Sequence, residues 1–474
     1  MYECGYARAL PRVKTHINER ELIFPRGEAG LPPGTPFVRF RADVGSTEAR
    51  ERAPTCTKAG FHFHGGTALR GNSFRKAWGC RFAKRSPVLI FMEVKELFRH
   101  IEENRGRFLD FLEDICNIEA TARDTAEMNR LAAFIADFAR KEGLDIRKIP
   151  FERAGDMLAI ELNPGAEKGA FFIAHMDTVH KPGVFGTPAV KRCGEKLIGP
   201  GVIDCKGGIA VALLCMAALR GSGYDRCARL LLTSDEEISD SLGGERELEL
   251  IRESAKGFPF ALNCEVGRPG EAVVSRKGIY RCRIDIKGVS SHAGIDYFAG
   301  RSAVREAAEK IIALESQSRQ GGTTYNCTCI SGGSVPNIVP DECSFIIDAR
   351  VNTDEAMREA VDFITSVAEK SFVGGTSGSV TKISSRAPML RTPEVDRLFA
   401  AVNAVSQKYG LGALTPVESG GGSDSAYTQQ AGVPTLDALG TAGDHCHTTR
   451  EFAYISSLGD RAKLLAAFIC EARR

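Results

Sequence analysis

From residue 92 onward, hydrophobic residues recur at the spacings of amphipathic helices. Apolar side chains lie three and four positions apart over residues 94–115 and again over residues 131–138, and Gly143 follows the second run. This spacing places the apolar side chains on one helical face, and glycine often follows the last turn of a helix. We therefore expect two helices at the start of the folded part of the chain.

Short apolar runs come next and alternate with a further helical pattern. Residues 170–174 and 230–233 are typical of buried strands, and the Ala/Leu-rich residues 209–219 between them predict a helix. This order indicates a parallel sheet covered by helices, with functional groups at the carboxyl ends of the strands. The predicted fold class is therefore α/β, with a mostly parallel sheet.

Near residue 277 the pattern changes to strict alternation. Cys282, Ile284 and Ile286 alternate with charged residues, which is typical of a strand in a sheet with one exposed face. We expect residues 276–386 to form a small α+β domain inserted into a larger domain. The larger domain would consist of residues 92–275 and 387–474, and the other predicted elements are helices at 302–316, 355–372 and 395–409 and strands at 343–350 and 433–436.

Residues 1–91 differ from the rest of the chain in composition. They carry sixteen Lys and Arg against seven Asp and Glu, and they show no sustained helical or strand period. Two interpretations stay open: Met92 is the true start and the preceding segment is an upstream translation, or the segment is a basic disordered extension. In neither case do we expect a catalytic role for it.

The composition of the whole chain argues against several classes of protein. Its 474 residues favour two or more domains, and a formal net charge of +2 indicates no general attraction to nucleic acid or anionic membranes. No apolar run reaches the length of a membrane helix. The fifteen scattered cysteines include no C-x-x-C pair, which is typical of reduced thiols and predicts a cytoplasmic protein.

Candidate chemistry begins at the end of the first predicted strand. His175 and Asp177 lie two positions apart, so in extended chain they share a face, and Asp177 can hold one ring nitrogen while the other binds a metal. A polar strand end is the alternative. Asp204 lies in a turn bracketed by glycines and can bridge two cations, or it caps the next helix, with Lys206 a solvated charge.

Asp235, Glu236 and Glu237 place three carboxylates at the end of the second strand. Crowded like charges repel one another unless cations neutralise them, so the triplet indicates a metal site more strongly than the preceding segments. A solvated acidic loop is the alternative. Glu265 follows another apolar stretch and by itself would be an ordinary strand-end glutamate.

Two histidines near the C-terminus compete as ligands. His445 and His447 flank Cys446, and Cys/His tracts can also bind structural zinc. The glycine run at residues 420–422 is compatible with a phosphate-binding loop, although no lysine of the Walker type follows it. The residues alone leave these alternatives open.

In their order along the chain, these segments resemble the co-catalytic zinc metallopeptidases of the glutamate carboxypeptidase, aminoacylase and acetylornithine deacetylase group. The resemblance covers about residues 92–474 and is greatest to the glutamate carboxypeptidase (carboxypeptidase G) branch. Order, spacing and flanking residues all agree. The segments that carry it are residues 175–179, 199–208, 235–237, 292–294 and 433–440, together with Glu265, His447 and Glu451.

The resemblance implies a fold and a division of roles. It implies a zinc-peptidase-like catalytic domain with an inserted ferredoxin-like domain that serves dimerisation and forms a lid. His447 is favoured over His445 because the family places its ligand four residues before a glutamate, here Glu451. The implied roles are His175 and Glu265 for the first metal, Glu237 and His447 for the second, Asp204 bridging both, Asp177 orienting His175, and Glu236 as general base.

The resemblance also implies substrate contacts on the inserted domain. His292 resembles the histidine that reaches a neighbouring subunit's site and polarises the scissile carbonyl, and Asn337 and Arg350 occupy substrate-contacting positions. Arg350 would bind a carboxylate. Without the resemblance, His292 would be a turn cap and Arg350 an ion pair on a strand face. Cys205 departs from the family, which more often has Met, Asp or Asn there, and we do not expect it to be a ligand.

The expected protein is therefore a metalloexopeptidase or amidohydrolase with two Zn²⁺ per subunit, or with Co²⁺ or Mn²⁺. It would cleave an amide beside a carboxylate-bearing amino acid in a small peptide or N-acyl amino acid, as a homodimer and without nucleic-acid or membrane partners. Alternatives are a dipeptidase or N-acyl-amino-acid deacylase, a homologue that binds without catalysis, and a nucleic-acid-binding role for the basic N-terminal segment.

Overall fold

The computed structural model describes residues 87–239 and 241–472, with side chains from residue 94 onward. The expectations for residues 1–86 lie outside the described residues. Residues 87–91, which the sequence groups with the atypical N-terminal segment, form the start of the first helix.

Helices and strands alternate along the described part of the chain. The helices are α1 Pro87–Asn117, α2 Thr125–Lys141, α3 Lys206–Gly221, α4 Gly244–Ala255, α5 Ala303–Glu315, α6 Asp354–Glu369, α7 Pro393–Lys408, α8 Ser425–Gln430 and α9 Ile455–Ala472. The strands are β1 Asp145–Ile149, β2 Met157–Leu162, β3 Lys168–His175, β4 Lys191–Cys193, β5 Lys196–Ile198, β6 Cys227–Thr233, β7 Ala261–Asn263, β8 Glu271–Arg276, β9 Gly278–Lys287, β10 Thr324–Gly332, β11 Glu342–Val351, β12 Ser377–Arg386, β13 Thr415–Ser419, β14 Thr435–Leu436, β15 Gly443–Asp444 and β16 Phe452–Tyr454.

The larger part of the described chain is built around a six-stranded sheet with the order β1-β2-β6-β3-β7-β14. Strands β6, β3, β7 and β14 are parallel, as the strand–helix–strand pattern predicts. Strands β1 and β2 extend one edge in antiparallel fashion, so the sheet is mixed. The outermost strand β1 escapes prediction because it is largely exposed and charged and has no run of apolar residues.

Helices cover both faces of this sheet. Phe172 faces a core shared with α1, α3 and α9, whereas Phe171 and Ile173 face a second core that includes α4 and α8. Helix α3 is buried over nearly its whole length, since its Ala/Leu-rich sequence is apolar on every side. The sheet therefore lies between two helical layers, and the carboxyl ends of its parallel strands meet at one edge.

The segment between Arg276 and Met389 forms a second sheet with its own core. Its order is β10-β11-β9-β12, with every pairing antiparallel, and α5 and α6 pack on it. Burial alternates along β9 and β11, as the sequence pattern predicts. The chain enters and leaves this sheet at one place, where Arg276 and Met389 exchange two backbone hydrogen bonds of 3.0 and 3.1 Å.

Helix α6 ends at Glu369, three residues before the predicted end. The ammonium group of the buried Lys310 donates hydrogen bonds of 2.8 and 3.0 Å to the carbonyl oxygens of Val367 and Ala368. These contacts satisfy the last carbonyls of the helix, which have no partner within it. The local sequence gives no sign of this distant cap.

None of the described helices is long and apolar enough to span a membrane. The described cysteines are all free thiols, and most are buried. Burial raises the pKa of the Cys116 thiol to about 12, which keeps it protonated and unreactive near neutral pH.

Candidate metal centre

Strand β3 ends in His175, and Asp177 lies against the same imidazole. Both side chains are buried, and His175 Nδ1 lies 3.2 Å from Asp177 Oδ1 and 3.0 Å from the Asp177 carbonyl oxygen. Asp177 Oδ2 accepts a hydrogen bond of 3.1 Å from the backbone N–H of Glu237. Asp177 therefore orients the imidazole and leaves Nε2 facing the neighbouring carboxylates.

The turn before α3 carries Asp204 to this position. Gly208 allows the turn to approach β7 closely, because a Cβ there would lie 1.7 Å from the carbonyl oxygen of Cys264. Asp204 Oδ1 lies 3.1 Å from His175 Nε2, and Asp204 Oδ2 lies 3.1 Å from His447 Nε2. One carboxylate thus faces two imidazoles, one with each oxygen, as a bridging ligand would.

The structural alternatives for this turn do not hold. The N-cap residue of α3 is Cys205, and no side-chain hydrogen bond caps that helix end, so Asp204 is not a helix cap. The expectation that Lys206 is a solvated charge is wrong: the residue is fully buried and its ammonium donates a 2.8 Å hydrogen bond to the Ile118 carbonyl. A lysine stem can be buried when its ammonium finds such a partner.

Glu265 and Glu237 complete two groups around Asp204. Glu265 Oε1 lies 3.4 Å from His175 Nε2, and Glu237 Oε2 lies 3.2 Å from His447 Nε2. Ligand atoms of His175, Asp204 and Glu237 all lie within 4.8 Å of one another. The structure thus brings together the five residues that the sequence predicts as metal ligands.

The two histidines near the C-terminus face different surroundings. His447 faces Asp204 and Glu237 with 54% of its side chain exposed. The ring of His445 packs edge-on against Phe452, with 6.0 Å between ring centroids. This geometry favours His447 as the ligand and puts it on the solvent side of the centre.

Asp235 does not join the centre, although the sequence groups it with the next two residues. Its Oδ2 accepts hydrogen bonds of 2.8 and 3.0 Å from the backbone N–H groups of Leu242 and Gly243, just before α4. The residue therefore shapes the loop, and only Glu236 and Glu237 of the acidic triplet remain for chemistry.

Glu236 and Glu237 lie in a 3-10 turn, Glu236–Ile238, shortly after β6. The carboxylate of Glu236 forms an ion pair with Arg386, whose guanidinium also donates a 2.8 Å hydrogen bond to the Glu236 carbonyl oxygen. Burial raises the pKa of Glu236 to about 7, although Arg386 acts in the opposite direction. A carboxyl group that titrates near neutrality suits general base and acid catalysis.

The crowding of acidic groups makes this centre suitable for cations. Burial and the nearby Asp204 raise the pKa of Glu237 to about 8, and hydrogen bonds to Asp204 and Glu237 raise the pKa of His447 to about 11. Within the described residues, Glu237 Oε1 is buried without a hydrogen-bond partner. Divalent cations would displace the extra protons and satisfy this oxygen, so the donor set fits a metal centre.

Cys205 lies closer to the centre than expected for a residue outside the ligand set. A ligand atom of His175, the Cys205 Sγ and a Glu265 oxygen lie within 4.8 Å of one another. The thiol, however, donates a 3.0 Å hydrogen bond to the Cys264 carbonyl, and burial raises its pKa well above the ordinary value. A protonated, hydrogen-bonded thiol is a poor ligand, which favours the expectation that Cys205 does not bind the metal.

Sequence reasoning used Glu451 only as a spacing marker and overlooked its contacts. Its Oε1 accepts hydrogen bonds of 3.1 and 3.3 Å from the backbone N–H groups of Ile203 and Asp204, and its Oε2 lies 2.8 Å from His180 Nε2. Glu451 therefore fixes the turn that carries Asp204. The available signal in the sequence is the position of Glu451 four residues after His447.

A second buried network supports Glu265. Arg276 donates hydrogen bonds of 2.8 and 2.6 Å to the two oxygens of Asp437, and its guanidinium lies 4.0 Å from Glu265 Oε2. Asp437 also accepts hydrogen bonds of 2.6 Å from each of Ser423 and Ser425. Arg276 and Asp437 are 161 positions apart, so no local pattern reveals the pair.

His292 and Asn337 lie together in two loops of the inserted segment, between β9 and α5 and between β10 and β11, and both are exposed to solvent. His292 Nδ1 accepts hydrogen bonds of 3.2 Å from the backbone N–H groups of Gly294 and Ile295, and the Asn337 carbonyl accepts one of 2.9 Å from Ala293 N–H. These contacts bring the two predicted substrate residues to one surface. Within this chain, His292 acts as a turn cap.

Arg350 lies on β11 and is partly buried. Its guanidinium pairs with both oxygens of Asp348, at 2.5 and 3.1 Å, and reaches the Gly420 carbonyl oxygen at 3.3 Å. Asp348 also accepts a 2.7 Å hydrogen bond from Arg281. The arginine thus makes the strand-face ion pair named as the alternative, while lying beside the glycine run of the catalytic part.

Solved structures share this fold. A metallo-carboxypeptidase of the M20 family, Sso-CP2 from Sulfolobus solfataricus, matches with a TM-score of 0.65 at 15% identity, covering 77% of this chain and 99% of that one. A tripeptidase from Staphylococcus aureus matches with a TM-score of 0.65 at 22% identity, covering 78% and 99%. At these identities the likeness shows the fold.

Relatives of known name are similar in sequence. Carboxypeptidase G2 from Pseudomonas sp. (strain RS-16) is 25% identical over 383 residues, which are 79% of this chain and 91% of that protein. A succinyl-diaminopimelate desuccinylase from Gluconacetobacter diazotrophicus is 27% identical over 291 residues, 58% of this chain and 72% of the relative.

A family model decides the assignment. The model for peptidase family M20/M25/M40 matches residues 171–471, which is well over half of the chain and contains the residues of the metal centre. The resemblance seen in the ordered sequence segments is thereby confirmed. The chain belongs to the M20/M25/M40 peptidase family and is a metallopeptidase, a peptide hydrolase that binds divalent metal.

Proposed function

We propose that this metallopeptidase is a zinc-dependent carboxypeptidase of the glutamate carboxypeptidase type, which cleaves an amide bond beside a carboxylate-bearing amino acid. The observation that carries the proposal is Asp204, whose two oxygens face one imidazole each, with Glu236 nearby. The donor set suits two Zn²⁺, or Co²⁺ or Mn²⁺. The proposed ligands are His175 and Glu265 for one ion, His447 and Glu237 for the other, and Asp204 for both.

Glu236 is the group proposed to move protons during the reaction. The bound cations would supply Lewis-acid polarisation of the scissile carbonyl and of the attacking water. Glu236 would accept the proton from that water and then donate it to the leaving amine. Asp177 would hold His175 in the tautomer that presents Nε2 to the metal.

We place dimerisation and lid closure in residues 276–386, as a ferredoxin-like domain inserted between the catalytic segments 92–275 and 387–474. Large apolar side chains are exposed near His292, among them Ile295, Tyr297 and Phe298, which is 90% exposed. An exposed apolar patch of this kind is typical of an interface, and the open edge strand β10 adds pairing capacity. In the proposed homodimer, His292 of each subunit polarises the scissile carbonyl in the other subunit's site.

The proposed substrate is a small peptide or N-acyl amino acid with a free carboxylate. Arg350 would bind that carboxylate, since a guanidinium matches its planar geometry, and Asn337 would bind the polar substrate backbone. The guanidinium of Arg350 is paired with Asp348. Substrate binding would therefore compete with, or rearrange, this ion pair.

An N-acyl-amino-acid deacylase or dipeptidase is the second candidate. Similarity to a succinyl-diaminopimelate desuccinylase favours it, because that relative's name denotes removal of an acyl group rather than of a terminal residue. Both candidates share the metal centre and Glu236. They differ in the group on the far side of the scissile amide.

A substrate panel tests the proposal. Zinc-loaded protein is assayed against N-acyl-glutamates, dipeptides and N-acetyl amino acids, each also as its carboxamide, with Glu236→Gln protein as the background. We expect hydrolysis of carboxylate-bearing members, acyl-glutamates first, and about 10-fold or greater loss with the carboxamides. Equal rates for acids and carboxamides would overturn the proposed specificity. Absence of hydrolysis above background throughout would overturn the catalytic assignment.

A further inference from the structure

Arg386 is a buried arginine that neither the sequence motifs nor the proposed ligand set includes. It is the last residue of β12, where the inserted sheet returns to the catalytic part, and only 2% of it is exposed. Its neighbour in the sheet is Ile279 on β9. The side chain extends from this junction to the turn that carries Glu236.

The guanidinium of Arg386 holds Glu236 at two points. One nitrogen forms an ion pair with the carboxylate of Glu236, and the other donates a 2.8 Å hydrogen bond to the carbonyl oxygen of the same residue. A contact to side chain and backbone together fixes both the position of the turn and the direction of the carboxylate. Glu237 follows directly in this turn, so the same contact bears on its backbone.

Asp424 provides the second support for this arginine. Its Oδ1 lies 3.4 Å from the Arg386 guanidinium, and its Oδ2 accepts a 2.9 Å hydrogen bond from Thr233 at the end of β6. Asp424 thus links Arg386 to the strand that leads into the Glu236 turn. A buried guanidinium needs compensating carboxylates, and Glu236 and Asp424 both supply such charge.

The glycine run at 420–422 has a place in this arrangement. A Cβ on Gly422 would lie 2.8 Å from Arg386 Cδ and 2.9 Å from a methyl carbon of Ile279. The run therefore leaves room for the arginine side chain. The sequence leaves open a phosphate-binding loop at these glycines. The aliphatic part of the Arg386 side chain fills the space beside Gly422, which argues against a bound phosphate there.

We propose that Arg386 is a positioning residue for catalysis, which holds the carboxylate and backbone of Glu236 in the direction needed for proton transfer. The proposal rests on the proposed function, in which Glu236 is the general base. A single ammonium group cannot make both contacts in the same geometry, because the planar fork of arginine spaces its donors rigidly. The inserted segment thereby contributes a side chain to the catalytic apparatus of its own subunit.

The test compares Arg386→Ala and Arg386→Lys with Arg229→Lys. Arg229 is a matched control, because its guanidinium also contacts a carboxylate, Glu161, and donates a 2.9 Å hydrogen bond to a backbone carbonyl, that of Ser254. We expect both Arg386 variants to lose about 10- to 100-fold in kcat, with KM changed about threefold or less and metal content unchanged. The Arg229→Lys protein should keep wild-type kinetics.

Chemical rescue separates positioning from general support of the fold. Added guanidinium chloride at low millimolar concentration should restore part of the kcat of Arg386→Ala, whereas the same concentration of sodium chloride should not. If Arg386→Ala fails to fold, Arg386→Lys serves as the test of the positioning role, because it keeps a positive charge beside Asp424. Wild-type kcat in Arg386→Lys, or a folded, metal-loaded Arg386→Ala protein that guanidinium does not restore, would overturn the proposal.

Measurements on Glu236→Gln protein show whether a failure concerns the proposed general base or only the positioning role of Arg386. If Glu236→Gln keeps activity, the proposed general base is wrong, and the role of Arg386 falls with it. If Glu236→Gln is inactive and Arg386→Lys is fully active, only the positioning role is wrong. If both proposals hold, the double variant Glu236→Gln/Arg386→Ala should lose no more kcat than Glu236→Gln alone, because both changes act on one step.

Discussion

The metal centre and the predicted substrate residues of the inserted sheet differ in how complete they are within one chain. At the metal centre, side chains from distant segments face one another, as Asp204 does with both His175 and His447 at 3.1 Å. In the inserted segment, His292 is exposed and its imidazole nitrogen accepts hydrogen bonds from its own turn. The first group is brought together by the fold of one chain, whereas in the second group the His292 imidazole contacts its own turn and faces solvent.

The two groups therefore should affect activity in different ways. Under the proposed function, metal binding and the base Glu236 depend on the stability of the core, because the proposed ligands follow buried strands. Substrate capture would then depend on an exposed surface with large apolar side chains such as Phe298. Changes in the first group should therefore affect chemistry or metal content, and changes in the second should affect activity through association or binding.

The largest expected effect is in the core. Glu236→Gln removes the proposed base but no proposed ligand, so kcat should fall between about 10² and 10⁴-fold while the protein keeps its metal. Steady-state kinetics and elemental analysis of the same preparation check this. Loss of metal together with activity would show that Glu236 supports the centre instead.

The next effect tests whether the exposed group acts between subunits. His292→Ala should lower kcat about 10²-fold or more, since it removes a donor to the developing oxyanion. Mixing His292→Ala with Glu236→Gln protein should restore about a quarter of wild-type activity, because about half of the dimers are mixed and each has one complete site. Activity that stays at the level of the separate variants after subunit exchange would contradict a shared site.

The third prediction concerns the metal centre and tests which of the two neighbouring histidines, His445 or His447, is the ligand. His447→Ala should weaken binding of one of the two metal ions by about 10- to 100-fold or more, while His445→Ala should leave both bound. Competition with a chromophoric chelator measures the two affinities. The opposite result would assign the ligand role to His445.

A smaller effect concerns the substrate carboxylate. Arg350→Lys keeps the charge but loses the planar fork, so KM for acidic substrates should rise about 10-fold with little change in kcat. The carboxamide of the same substrate serves as the control, because its KM should not respond. A fall in kcat alone would place Arg350 elsewhere in the mechanism.

The smallest effect is a pH dependence of the metal-free core. Burial raises the pKa of Glu236 to about 7 and that of Glu237 to about 8, so the folded protein holds more protons than the unfolded chain between about pH 4.5 and 8. The stability of the metal-free protein should therefore fall as pH rises through this window, by at most about 1.4 kcal/mol per pH unit for each linked proton. Thermal unfolding at several pH values measures it.

Zinc-loaded protein is the control for this pH series. Bound cations displace the extra protons, so the loaded form should change little over the same window. Equal pH slopes for both forms would show that Glu237 does not bind the metal.

Much of the fold could be predicted because buried helices and strands leave a periodic trace of apolar residues in the sequence. Helix α3 and strands β3, β6, β9 and β11 bury regular apolar patterns, and each lies where its pattern predicts. The antiparallel edge strand β1 is largely exposed and charged, so it carries no such trace. The short strands β5 and β16 pair with each other across a long stretch of chain, and local sequence does not reveal such a partner.

The residues of the candidate site also differ in how well the sequence predicts them. Acidic and imidazole groups at strand ends are recognisable along the chain, because metal chemistry requires those residue types. The arginines that support them are not, since Arg386 lies 150 positions from Glu236 and Arg276 lies 161 from Asp437. Lys206 was misjudged for the same reason, because its partner, the Ile118 carbonyl, lies 88 positions away.

The paired backbone hydrogen bonds between Arg276 and Met389 have a consequence for modularity. Residues paired in this way in antiparallel chains have Cα atoms about 5.5 Å apart, a gap that a two-residue turn can close. The whole intervening segment could therefore be excised and the remaining chain rejoined, or another relative's segment grafted in its place. Such chimeras would keep the five proposed metal ligands and exchange the outer surface, and a grafted segment would have to bring its own counterpart of Arg386.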